Sequence, residues 1–87
     1  MIERTLTITN RAGIHARPAA LIAKVANRYV SDVFFLKDAM KINGKSIMGV
    51  ITLGATYKSK LTMQCDGPDE AEMADAIEHV FANHFEE

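Results

Sequence analysis

A single cysteine, Cys65, stands in this chain, so no internal disulfide can form and a small disulfide-stapled extracellular domain is excluded. No run of about 18 apolar residues occurs, which excludes a membrane-spanning helix. An excess of one charge is lacking too: ten Lys or Arg stand against eleven Asp or Glu, a formal net charge of −1. Without a general basic field, nucleic acid is not an expected partner. The N-terminus, Met1-Ile2-Glu3-Arg4-Thr5, has no basic stretch followed by an apolar core, so no secretory signal is read there. A reducing, cytoplasmic setting is expected, with proteins or small ligands as partners. No linker, repeat or low-complexity tract interrupts residues 1–87, which read as one domain.

What is present is a succession of short periodic segments. Ile2, Leu6 and Ile8 alternate with polar residues and predict a strand, with Arg4 on its apolar side near a sheet edge. A loop over Asn10-Arg11-Ala12-Gly13 follows. Leu21, Ile22, Val25 and Tyr29 then form an apolar stripe that predicts a helix from Ala16 to about Arg28. Pro18 falls in its first turn, where a missing N–H costs nothing. Val33 to Lys37 reads as a strand whose facing is open, because Val33-Phe34-Phe35-Leu36 is apolar throughout. Met40-Lys41-Ile42 makes a short strand ended by Asn43-Gly44. Ser46 to Leu53 reads as a two-turn helix, with Ser46 as N-cap and Gly54 as terminator. Leu61, Met63 and Cys65 alternate with polar neighbours in the clearest strand. The last helix begins at Asp69, with Glu70 and Glu72 at the positive end of its dipole. Met73, Ile77, Val80, Phe81 and either His84 or Phe85 mark its buried face. The order βαββαβα predicts an α+β fold, an open-faced sandwich with a four-stranded sheet covered on one face by three helices.

The chemistry concentrates at Gly13-Ile14-His15-Ala16-Arg17-Pro18-Ala19. His15 stands where a loop becomes a helix. The first N–H groups of a helix have no intrahelical partners, and the dipole is positive there. A dianionic phosphoryl group on the imidazole would meet the free amides of Ala16 and Arg17. Arg17 adds planar donors suited to phosphate. The alternative is a histidine that merely caps the helix or is solvated, and the residues alone leave both open.

This segment resembles the phosphorylation-site signature of the HPr family, the phosphocarriers of the bacterial phosphotransferase system. Asn43-Gly44-Lys45-Ser46-Ile47-Met48-Gly49-Val50 is similar to the family's second signature. The resemblance covers essentially the whole chain. It implies that His15 accepts a phosphoryl group from phosphorylated enzyme I, itself charged by phosphoenolpyruvate, and passes it to a histidine of an A-type enzyme II protein. It implies that Arg17 holds the phosphoryl oxygens, and that the chain is a stoichiometric carrier, not an enzyme, working as a monomer with no metal or cofactor. A regulatory-only paralogue replaces the histidine, so His15 argues against that branch. The serine matching Ser46 is the target of a dedicated kinase in many bacteria. Through it, HPr kinase/phosphorylase and a transcription regulator become further possible partners. Lys45-Ser46-Ile47-Met48 looks like the sugar or kinase-regulated type, and the C-terminal Phe81-Ala82-Asn83-His84-Phe85-Glu86-Glu87 like the nitrogen-type regulatory proteins, so the branch stays open.

The short helix has more apolar residues than one buried face needs. Ile47, Met48 and Ile51 fall on one side, Val50 and Leu53 on the other. One set can pack on the sheet while the other docks partners. Arg17, Ala20, Lys24, Ile47, Met48 and Ile51 form the expected interface, small enough for fast release at about 1,200 Å² or less. Gly44-Lys45-Ser46 is not the end of a nucleotide-binding loop, since Ala39 stands where its first Gly belongs. Cys65 is read as a core residue. His79 and His84 are read as surface residues of the last helix without metal-ligand spacing. Glu86-Glu87 is read as a solvated tail. A ferredoxin-like ligand- or RNA-binding domain would need a basic, aromatic sheet face, which the polar outward residues of the first and last strands do not supply.

Overall fold

A computed structural model describes residues 1–85 of the chain; the expected tail at Glu86-Glu87 lies outside them. The elements run β1 (Ile2–Thr7), α1 (Ala16–Ala26), β2 (Asp32–Lys37), β3 (Met40–Asn43), α2 (Ile47–Leu53), β4 (Lys60–Asp66) and α3 (Glu70–Ala82). The four strands form one antiparallel sheet in the order β1-β4-β2-β3. This is the expected α+β architecture. β4 is central, pairing Leu6 of β1 with Leu61, and Val33 and Phe35 of β2 with Cys65 and Met63.

Pairing settles the facing of the uniformly apolar β2. Val33 and Phe35 are buried among Met63, Cys65, Met73 and Ile77, while Phe34 and Leu36 are half-buried on the open side. Phe34 there lies under Lys41, its ring centroid 4.7 Å from Nζ. Arg4 points to the helix side of β1, an edge strand, and reaches Asp75 and Glu78 of α3 at 2.7 and 2.8 Å. Cys65 is fully buried, and burial pushes its thiol up to about 11. At neutral pH the sulfur is an un-ionised core atom.

Beyond one-residue extensions of β2 to Asp32 and of β3 to Asn43, three element ends differ from the sequence reading. β1 stops at Thr7, because Ile8 turns out of the ladder to exchange hydrogen bonds with Ser59 and Lys58. α1 stops at Ala26: the backbone N–H and side-chain amide of Asn27 both donate to Ala23, and the next two N–H groups make tighter bonds to Val25 and Ala26. α3 stops at Ala82, so His84 lies beyond the helix rather than in it. His84 and Phe85 take left-handed conformations (φ 54° and 63°), and the Phe85 N–H donates back to Val80 at 2.8 Å. Phe85, not His84, completes the buried face, packing edge-on against Phe81 at 5.0 Å.

The entry to α3 is tied to the start of β2 by Asp69. Its carboxylate accepts from the Ser31 hydroxyl and from the backbone N–H groups of Val30 and Ser31, at 3.0 and 2.9 Å. These bonds, the hydroxyl first, hold its pKa below the ordinary 3.8. Glu70 is held below 4.5 by the Gly67 N–H and then by the N-terminal amine 3.1 Å away. A carboxylate with a depressed folded pKa contributes stability above its unfolded pKa and loses it as pH falls through the folded one. Stability should therefore decline from pH 4.5 downward, and Asp69→Asn should flatten the part of that decline below 3.8. Denaturant midpoints measured from neutrality to about pH 2 check this; an Asp69→Asn curve parallel to wild type would refute it.

Candidate functional site

The loop before α1 is anchored at both sides before it delivers His15. The Asn10 side chain accepts from the Ala12 N–H and donates to the Gly13 carbonyl, while the Gly13 N–H donates to the Asn10 carbonyl at 2.9 Å. Gly13 has φ +72° and lies against the Ala55 carbonyl; a Cβ there would sit 2.8 Å from that oxygen. Ile14 follows, buried, its N–H bonded to the same Ala55 oxygen at 2.9 Å. His15 is thus carried by a clamped segment although its own side chain is exposed.

His15 is the N-cap of α1, in extended conformation (φ −118°, ψ −161°), and its side chain makes no capping bond. Its carbonyl accepts the Ala19 N–H at 2.9 Å. Ala16 and Arg17 occupy the first two helical positions, so their N–H groups have no partner within the helix, and Pro18 has none to offer. An imidazole free of capping duty therefore stands at the positive end of an eleven-residue helix. His15 and Arg17 line one shallow cavity of about 180 Å³ together with Asn10, Pro18, His84 and Phe85. The space suits a small anion attached to the ring.

Asn10, His84 and Phe85 are wall residues that the sequence reading missed. Phe85 follows Phe81 at helical spacing, a usable signal. His84 had none, because only the left-handed turn after α3 brings it here. Its Nδ1 shares a hydrogen bond with the Thr9 hydroxyl at 2.9 Å.

The other named residues fall into two groups. Arg17, Ala20 and Lys24 line a second cavity of about 260 Å³ with Leu21 and Phe85. In α2, Val50 and Leu53 are buried, Ile51 is half-buried, and Ile47 and Met48 are 45% and 68% exposed. α2 packs on α1, so this apolar surface adjoins the first group. Ser46 caps α2, its Oγ accepting the Gly49 N–H at 3.0 Å. The Asn27 side chain donates to the Lys45 carbonyl, and Lys45 Nζ to the Tyr29 carbonyl at 2.8 Å, tying this end of α2 to the end of α1. His15 therefore stands at the start of α1, a helix about 16 Å long, and Lys45, next to Ser46, is held at its end.

Fold and site together define a class: a small open-faced α+β sandwich that presents one histidine and one arginine at a helix start. The family model for the PTS HPr component phosphorylation site matches residues 2–83. The chain is 46% identical to the phosphocarrier protein HPr of Treponema pallidum, covering 100% of this chain and 99% of that protein. It is 39% identical to the HPr-like protein Crh of Bacillus subtilis, over 88% of this chain and 91% of that one. The crystal structure of HPr-C-His from Thermoanaerobacter tengcongensis superposes with a TM-score of 0.94 at 39% identity, covering 100% of this chain and 99% of that one. The chain belongs to the HPr family, the phosphocarriers of the phosphotransferase system. Among the solved relatives is an HPr dimer from the same Thermoanaerobacter species, with a TM-score of 0.76, so the family fold alone does not imply a monomer. No helix among the described residues is long and apolar enough to cross a membrane.

Proposed function

We propose that the chain accepts a phosphoryl group on His15 from phosphorylated enzyme I and passes it to a histidine of an A-type enzyme II protein. The observation that carries this reading is the uncapped His15 imidazole at the start of α1, sharing a cavity with Arg17. A deprotonated ring nitrogen attacks phosphorus. The new N–P bond forms as the donor's N–P bond breaks, and that electron pair returns to the donor imidazole. The Ala16 and Arg17 amides and the Arg17 guanidinium receive the phosphoryl oxygens. The reverse sense delivers the group to the acceptor, and His15 is regenerated.

The exposed Ile47 and Met48, with Ile51, Ala20, Lys24 and Arg17, form the docking face. Phosphorylation of Ser46 by an HPr kinase/phosphorylase would place up to two negative charges beside that face without removing the cap, since a phosphate oxygen can accept in place of the Oγ that now receives the Gly49 N–H. Acidic partners would be repelled and a basic transcription regulator could be recruited. The chain acts as a cytoplasmic monomer. The sugar-transport branch is favoured by the resemblance of the second signature around Ser46; nitrogen-type regulation is the alternative.

The test is incubation with purified enzyme I and labelled phosphoenolpyruvate. The expected label on the chain is lost in acid and kept in base, as an N–P bond requires. An unlabelled chain, with its cognate enzyme I tried and that enzyme shown to charge a known HPr, sinks the carrier reading.

A further inference from the structure

From Arg4 to Ser31, and again from Ala39 to Cys65, the sequence holds every Lys and Arg of the chain except Lys37, and not one Asp or Glu. These segments carry α1, α2 and the loops around His15. The ion pairs follow the same division. Arg4 pairs with Asp75 and Glu78, and Lys37 with Asp38, but Arg11, Arg17 and Lys58 have no acidic partner among the described residues.

Two of these unpaired cations converge on one ring. Arg11 Cζ lies 5.9 Å from the centroid of Tyr57, and Lys58 Nζ lies 5.4 Å from it. Tyr57 itself is 41% exposed. The loop that presents it is fixed. The Thr56 N–H donates to Ser59 Oγ at 3.1 Å, the Ser59 N–H donates to the Thr56 carbonyl at 3.0 Å, and the Lys58 N–H donates to the Ile8 carbonyl at 2.8 Å. Lys58 is held left-handed at φ 69°, a conformation that costs a non-glycine residue energy and persists only where the surroundings impose it. The same loop forms the clamp on Gly13 and Ile14, so the cluster is structurally continuous with His15.

We propose that Arg11, Tyr57 and Lys58 form a docking element for an acidic protein surface of the phosphoryl donor, beside His15 and separate from the apolar residues of α2. The inference rests on the proposed transfer function. Tyr and Arg are the side chains that most often dominate interface energetics, and two cations against one exposed ring can receive carboxylates while the ring packs on the partner. Net charge −1 and a single aromatic in the cluster make a nucleic-acid strand or a lipid surface a poorer match.

The experiment measures binding of the ¹⁵N-labelled chain to unphosphorylated enzyme I at low and high salt. Lys58→Asn and Arg11→Gln/Lys58→Asn are the charge variants, because Asn tolerates the left-handed backbone; Tyr57→Ser is the uncharged probe. In wild type the amides of Arg11, Tyr57 and Lys58 should shift on binding. The double variant should weaken Kd about tenfold and reduce its salt dependence, while Tyr57→Ser weakens Kd with the salt dependence kept. Wild-type Kd and salt dependence in the double variant overturn the docking element, and the labelling result stands untouched. A wild-type chain that is labelled normally without shifts at these three amides overturns it equally. Failure of both binding and labelling takes the carrier reading with it. Binding instead to an oligonucleotide or an anionic vesicle, lost in the double variant, also overturns the assignment to a protein.

Discussion

His15→Ala is expected to take up no phosphoryl group from enzyme I, whereas Arg17→Ala takes it up about 10- to 100-fold more slowly. The two differ in kind. His15 supplies the nitrogen that forms the bond, and no other imidazole can substitute from its place: His84 lines the same cavity, but its Nδ1 is engaged by Thr9, and it is carried by the segment after the negative, C-terminal end of α3. Arg17 supplies charge-assisted hydrogen bonds worth about 1.5–3 kcal/mol, which is roughly one to two powers of ten in rate. The Ala16 and Arg17 amides remain after that substitution and account for the residual transfer. Neither variant should unfold. Both side chains are exposed, and His15 makes no capping bond that alanine would forfeit, so stability should stay within about 0.5 kcal/mol. Rates of label uptake, with thermal melts alongside, check both. A labelled His15→Ala would move the acceptor elsewhere, to Ser46 or to His84. An Arg17→Ala rate equal to wild type would leave the backbone amides as the sole anion site.

How far the sequence could be read depended on whether a signal was local. The alternation of Leu61, Met63 and Cys65 and the bracketing of α2 by Ser46 and Gly54 are local, and the structure keeps them. The start of α1 was legible for the same reason. Its end was not. Tyr29 continues the apolar stripe, and only the Asn27 side-chain amide on the Ala23 carbonyl and the shorter-range bonds of the Arg28 and Tyr29 N–H groups show that the helix has already closed. The facing of β2 needed a partner strand, because four consecutive apolar residues carry no period of two. His84 was misread as helical because the one stop signal before it, Asn83, is weak beside the apolar spacing that continues to Phe85; the left-handed turn that follows brings the Phe85 ring back against Phe81. The signature at 13–19 identified the candidate acceptor. The cavity around it, assembled from Asn10 and Phe85 some 75 residues apart in sequence, is a product of tertiary packing and could not be read from either segment alone.

That dependence of the site on a distant loop makes Gly13→Ala the sharpest test of how His15 is held. Alanine at φ +72° costs about 1–2 kcal/mol in backbone strain. Its Cβ would also meet the Ala55 oxygen at 2.8 Å and Thr56 Cα at 3.2 Å, both backbone atoms, and forcing such a contact costs typically about 1–3 kcal/mol more. The contact cannot relax by a side-chain rotation. Because the Ile14 N–H is bonded to that same Ala55 oxygen, the segment must move away from it and carry His15 along. A displacement of a reacting group by about 1 Å can cost on the order of 100-fold in rate. Gly13→Ala should therefore lose about 2–5 kcal/mol of stability and, at a temperature where it is still folded, transfer phosphate about 10- to 100-fold more slowly. Gly54→Ala isolates the strain from the displacement. Gly54 is equally left-handed, at φ +64°, but the nearest atom to its Cβ is the Thr52 oxygen at 3.8 Å. It should lose only about 1–2 kcal/mol and transfer at the wild-type rate. If both variants transfer equally well, the Gly13 clamp does not position the histidine, and the start of α1 alone holds it in place.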